Sequence, residues 1–204
     1  MSLWSEPVRL TPRAWLIYGL VAMLALAELV VLWLAIHPDV PDDYRAYFLD
    51  RTTTCLAQPV TGAYKLGTLI DFRSGGPNTR ELRPCGWEGP TGDGMHAVGE
   101  TSRLYFALGQ SGAFSMTITL TAVTLPGPAE QRVAVSANGT ALETVLLPQG
   151  ETKSFTMAVP AGVVGEDGAI AIALDYPDAI WSGPANTRKR SIKLVSVQIE
   201  PVGP

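Results

Sequence analysis

Residues 14–36, AWLIYGLVAMLALAELVVLWLAI, hold a single charged side chain, Glu28, in 23 positions. As a helix such a run rises ~35 Å, against a hydrocarbon core ~30 Å thick. A rod that is apolar all round has to be buried in a large core or in a bilayer, and nothing else in the chain is long enough to surround it. A secretory leader has a shorter apolar stretch, of about 7–15 residues, before a small-x-small cleavage site. Here the run ends in AIHPDVP, so the expectation is a retained transmembrane helix over 14–36.

The flanks give its direction. Arg9 and Arg13 precede the helix, while Asp39, Asp42 and Asp43 follow it. The bias of cations toward the cytoplasm places residues 1–13 there as a tail and everything after Ile36 outside, on the periplasmic side of a bacterial inner membrane. Trp15 and Tyr18 mark one interface, and Trp33, Tyr44 and Tyr47 the other. Residues 37–50, HPDVPDDYRAYFLD, read as a stalk, leaving 51–204 as an extracytoplasmic domain.

Glu28 is costly in that setting. An ionised carboxylate deep in hydrocarbon costs at least ~2.5 kcal/mol, and lipid offers it no donor. Ala22, Ala25 and Glu28 fall within an arc of about 120° on a helical projection, a smooth strip carrying one polar group. Such strips suit close helix packing fixed by a polar side chain, so integral membrane protein subunits are expected partners beside the lipid bilayer itself. His37, at the outer end, is either an interfacial polar residue or a ligand for a chlorin or haem of a neighbouring subunit.

Past the stalk the hydrophobic period changes from helical to two. FSMTITLTA alternates Phe114, Met116, Ile118 and Leu120 with Ser115, Thr117, Thr119 and Thr121, the pattern of a half-buried strand. QRVAVSANGTALETVLL is a hairpin signal, because Asn138-Gly139 suits a type I′ turn. Those residues also spell a glycosylation sequon, but the turn accounts for them. KSFTMAV, AIAIAL and IKLVSVQIE follow, with weaker strands near AYKLGTLIDF and RLYFAL. About eight short strands between Gly/Pro/Asp/Asn turns predict a mainly β fold: an antiparallel, jelly-roll-like β-sandwich after one helix.

Composition excludes some classes. The net charge is −4 and the one basic cluster is Arg188, Lys189 and Arg190, too little for nucleic acid. Cys55 and Cys85, in a compartment where disulfides persist, are expected to pair.

The stretch RPCGWEGPTGDGMHAVGE, 83–100, is dense in glycine and holds one of the two histidines. It reads as a catalytic loop, a sugar-binding rim or a tight corner. Gly86, Trp87, Pro90, Gly94 and Gly99, then Leu104 and Phe106, the Asn138-Gly139 hairpin and a last strand from Ser191, resemble the β-sandwich domain appended to bacterial membrane-bound polysaccharide glycosyltransferases. That family carries a GWxxPExxGxWSxG segment and looks like a carbohydrate-binding module, which implies a glycan-facing role over roughly residues 60–200. The acid of the motif falls on Thr91, its second aromatic on His96 and its small hydroxyl on Ala97. These departures keep a scaffold and remove sugar-binding groups.

Catalysis is not expected. His96 with Asp93 and Ser102 makes no recognisable triad, and Asp93, His96 and Glu100 match no standard zinc spacing. No cofactor and no metal are expected. Two functions remain. The first is a non-catalytic, single-span accessory subunit of a larger membrane complex, for example a photosynthetic reaction centre–light-harvesting assembly. The alternative is a membrane-anchored glycan-binding module, with Trp87, Asp93, His96 and Trp181 as candidate contacts. An exposed aromatic platform distinguishes the second.

Overall fold

The computed structural model describes residues 11–37, 39–40, 44–45, 55, 59–181 and 188–202. Most of the expected tail (1–13) and stalk (37–50), with Arg9, Asp42, Asp43 and Tyr47, lies outside the described residues. The chain divides into two compact units, Met1–Pro41 and Asp42–Pro204.

In the first unit a helix, α1, spans Pro12–Ile36. It starts two residues before the apolar run because Thr11-Pro12 is a start signal. The Thr11 hydroxyl accepts from the Ala14 amide at 3.4 Å, and Pro12 occupies a first-turn position whose N–H has no helical partner. At the other end the His37 amide donates to the Trp33 carbonyl at 3.0 Å. The His37 ring stacks on Trp33 with centroids 4.9 Å apart, and its Nδ1 lies 3.0 Å from that same carbonyl. No residue of α1 is buried, and its most apolar window has a mean hydropathy of 2.5. Among the described residues it is the one helix long and apolar enough to cross a membrane.

Among the described residues from 59 onward, the second unit is β apart from two 3-10 turns, Arg80–Leu82 and Ala161–Val163. Its strands are β1 (Ile70–Asp71), β2 (Trp87–Thr91), β3 (Gly94–Ala97), β4 (Thr101–Ala107), β5 (Phe114–Ala122), β6 (Glu130–Ala137), β7 (Thr140–Pro148), β8 (Thr152–Val159), β9 (Ala169–Asp175), β10 (Ile180–Trp181), β11 (Lys189–Arg190) and β12 (Ile192–Pro201). One sheet runs β2-β3-β12-β5-β8, with β1 also on β12; the other runs β4-β9-β6-β7. All pairings between these strands are antiparallel. Taking β3 to β9 and β12 as first to eighth, the sheets read 1-8-3-6 and 2-7-4-5. Every connection except the β6–β7 hairpin crosses between the sheets, which is the jelly-roll arrangement.

Period-two patterning puts Leu104, Phe106, Met116, Ile118, Leu120, Ile170, Ile172 and Leu174 between the sheets, all fully buried. β12 carries a bulge between Leu194 and Ser196. That extra residue lets both Leu194 and Val197 face the core, which strict alternation forbids for positions three apart. The β6–β7 turn has Asn138 at φ 45° and Gly139 at φ 81°, as a type I′ turn demands. The Asn138 amide donates to the Val163 and Ala169 carbonyls at 2.8 and 3.1 Å, and its oxygen accepts from the Ala171 amide at 2.8 Å. The sequon's side chain is thus occupied by backbone. Cys55 and Cys85 form a disulfide with Cα atoms 5.7 Å apart.

Two elements differ from the sequence expectation. AYKLGTLIDF contributes only Ile70–Asp71 and a bridge at Ala63, since Gly67 at φ 78° turns the chain. The glycine-dense 83–100 stretch holds a β-hairpin, β2–β3, at one edge of the larger sheet.

Candidate functional site

The β2–β3 hairpin turns through Gly92-Asp93, with Thr91 opposite Gly94. Trp87 points inward from β2 and is only 7% exposed; its indole N–H donates to the Arg103 carbonyl at 2.8 Å. Gly86 at φ 79° carries the chain into the hairpin, so close to β4 that a Cβ there would lie 2.5 Å from Ser102 Cα. Trp87 is therefore a core aromatic, and a sugar ring has no access to its face.

The outward residues of the same hairpin form a charged cluster. Lys193 on β12 is the cross-strand neighbour of His96 on β3. Its ammonium bonds the Asp93 carboxylate, which also accepts from the Thr91 hydroxyl at 2.8 Å. These donors hold Asp93 well below the usual carboxylate range, at about 2. Glu88 on β2 pairs with Arg190 on β11, which lowers its pKa, and its backbone carbonyl accepts from Arg83 at 3.1 Å. Burial, then the Lys193 and Arg190 charges, push the His96 imidazole down. His96 Nδ1, Arg190 Nη1 and Arg83 Nε are buried with no hydrogen-bond partner among the described residues.

Trp181 lies elsewhere, on the two-stranded ribbon β10–β11, opposite Lys189. It is 57% exposed, and among the described residues of 59–202 it is the one exposed aromatic. Lys189 pairs with Glu100, so the indole has an ion pair beside its strand. A shallow groove of about 360 Å³ on the outer face of the four-stranded sheet, floored by Ala134, Ser136 and Ala141, has no aromatic in its lining.

The structure thus splits the four candidate glycan contacts. Asp93 and His96 share the charged cluster, Trp87 is in the core, and Trp181 is exposed on the ribbon. The triad reading loses its geometry: Ser102 is fully buried and its hydroxyl donates to the Gly86 carbonyl at 2.7 Å. Asp93 and Glu100 are each tied to a different lysine, and the described residues hold no group of three or more His, Cys, Asp or Glu able to ligate a metal. Sequence reading did not single out Glu88 or Lys193 and took Arg190 only as part of a basic cluster, because only strand register brings β2, β11 and β12 to one place. Lys193 was visible as an outward position of a strand, but its pairing with His96 was not. In α1, Ala22, Ala25 and Glu28 are all exposed. Nothing among the described residues points to a photosynthetic host, and His37 Nδ1 is engaged at the helix end.

No protein-family model matches the chain, and no curated protein sequence does. Some solved structures are similar to part of the chain. One is a CBM22-2 xylan-binding domain from Paenibacillus barcinonensis Xyn10C, at 15% identity and TM-score 0.44, covering 66% of this chain and 99% of that one. Another is the CBM36-1 domain of a multidomain xylanase from the hindgut metagenome of Trinervitermes trinervoides, at 15% identity and TM-score 0.39, covering 67% and 98%. A third is a family GH115 4-O-methyl-α-glucuronidase, at 14% identity and TM-score 0.40; the match takes in 58% of this chain and only 16% of that one.

Proposed function

We propose that this chain is a non-catalytic glycan-binding module held at a membrane by α1, with residues 1–13 cytoplasmic and the β-sandwich outside. The observation that carries the reading is Trp181. A large aromatic 57% exposed on a short ribbon, with a Lys189–Glu100 ion pair beside it, is not explained by the core. An exposed indole offers a flat apolar surface for the C–H face of a pyranose, and flanking charged groups meet its hydroxyls. The test is a glycan-array screen of the full chain in detergent micelles, repeated with Trp181→Ala. Binding lost in the variant at unchanged melting temperature supports the reading; binding that survives the substitution removes Trp181 from the site, and no binding to any glycan removes the reading.

A second reading, the single-span accessory subunit, rests on Glu28. The carboxylate sits on an uncovered apolar helix beside Ala22 and Ala25, where a neighbouring helix supplies the donor that lipid lacks. Glu28→Leu is expected to insert normally and to lose co-purifying membrane subunits. Unchanged co-purification sinks this reading.

A further inference from the structure

The charged cluster on the β2–β3 hairpin holds its groups in an unusual order. In both ion pairs the cation is the more buried member. The Arg190 side chain is 15% exposed against 38% for Glu88, and Lys193 is 17% exposed against 66% for Asp93. Long cationic side chains ordinarily reach for water. Here they are packed down while their counter-ions stand outside. The hydrogen bonding is also incomplete. Buried polar atoms are nearly always partnered, yet Arg190 Nη1, His96 Nδ1 and the nearby Arg83 Nε have no partner among the described residues. The two pairs balance in formal charge, but Lys193 and Arg190 act on the imidazole more strongly than Glu88 and Asp93 do, so the ring faces the cationic side of the cluster.

We propose that Arg190, His96 and Lys193 form an oxyanion site that takes the carboxylate or phosphate group of an acidic saccharide. It rests on the glycan-binding reading for the saccharide, though not for the oxyanion. The planar guanidinium of Arg190 matches a carboxylate or phosphate edge with two parallel hydrogen bonds. Lys193 supplies a second charge, and His96, kept neutral, supplies a donor from one ring nitrogen. Glu88 and Asp93 occupy the cations until the ligand arrives, then swing out; as the exposed partners they move at little cost. The site continues across the sheet in one row. Thr121 lies opposite Lys193, and Thr152 opposite Thr121 with its hydroxyl 2.7 Å away. The next rows repeat this with Thr119–Ser154 at 2.8 Å and Thr117–Thr156 at 2.9 Å. A saccharide anchored by its acid group at Arg190 meets a surface of hydroxyls beyond it.

The test follows the His96 ring by NMR in the full chain in detergent micelles at low ionic strength. The chain has two histidines, and His37→Gln removes the other signal. The probes are inorganic phosphate, an oligogalacturonate, and a neutral galacto-oligosaccharide of the same length. The two anions are expected to shift the His96 resonances saturably, and the neutral oligomer to leave them in place. Arg190→Gln should weaken phosphate binding about tenfold, the loss of one charge-assisted bond. Glu88→Gln should tighten it, because the competing carboxylate is gone. The two variants break the same ion pair, so a merely structural role moves both in one direction. A silent His96 with both anions at millimolar concentration, or Glu88→Gln weakening binding as Arg190→Gln does, overturns the proposal. Phosphate binding without any saccharide binding keeps the oxyanion site and refutes the glycan reading. Oligosaccharides bound through Trp181 with His96 silent do the reverse.

Discussion

Trp87 and Trp181 are the same residue type, and the fold assigns them opposite physical roles that substitution separates. Trp87 is 7% exposed within the core and its indole N–H meets the Arg103 carbonyl at 2.8 Å. Truncating a buried Trp to Ala costs about 3–5 kcal/mol through lost transfer energy and the cavity left behind. Loss of the donor also leaves the Arg103 carbonyl short of one partner, at about 1 kcal/mol. For a domain of this size each kcal/mol moves the melting temperature by roughly 2–4 °C, so Trp87→Ala should melt roughly 10 °C or more below the parent. Trp87→Phe keeps the ring but not the donor, and should fall in between. Trp181 is 57% exposed, and truncation at such a surface position stays within about 0.5 kcal/mol. The assay is thermal unfolding of the full chain in detergent, followed by circular dichroism in the β region. A Trp87→Ala variant melting within about 3 °C of the parent would refute the assignment of Trp87 to the core. So would a Trp181→Ala variant that melts as low as Trp87→Ala.

The Cys55–Cys85 bridge closes a sequence separation of 30 residues, worth about 3–4 kcal/mol in the chain-entropy account. Cys55→Ser/Cys85→Ser should therefore lower the denaturant midpoint, and a midpoint unchanged by the double substitution contradicts this. Gly86→Ala forces a Cβ to 2.4 Å from the Thr101 carbonyl at a positive φ. A loss of about 2 kcal/mol or more is expected from strain and backbone displacement, and wild-type stability would show that β2 and β4 are further apart. Acid stability has two windows. Because burial and neighbouring cations depress the His96 pKa, the unfolded chain binds a proton that the folded chain resists. Stability should fall as pH drops below about 6.5 and be insensitive to this group above it. Asp93, held at about 2 by Lys193 and Thr91, contributes stability above its unfolded pKa of about 3.9 that disappears as pH falls toward the folded value. Melting temperature measured from pH 7 to 2 should show both steps, and His96→Gln should erase only the upper one. An upper step that persists in that variant assigns it to another group.

Local pattern alone decides much of this protein. The 14–36 run specifies a rod whose whole circumference is apolar, because its hydrophobicity does not alternate with the helical period, and α1 spans Pro12–Ile36. FSMTITLTA specifies a strand with one wet face, and β5 alternates buried and half-buried along all its residues. Asn138-Gly139 specifies a turn, since few other pairs tolerate positive φ twice in succession. What the sequence did not decide is everything that depends on which strands become neighbours. The hairpin hidden in 83–100 has no alternating signal, because its glycines are there for turns and for close approach to β4. Trp87 and Trp181 look alike in one dimension, and only the pairing of β2 with β3 and of β10 with β11 sends one inward and leaves the other in solvent. Glu88 and Arg190 are 102 residues apart in the chain and Asp93 and Lys193 are 100 apart, yet all four share one cluster. Sequence periodicity reports the environment of a residue relative to its own strand. The chemistry of a site comes from the register between strands, and that is settled by how the whole core closes.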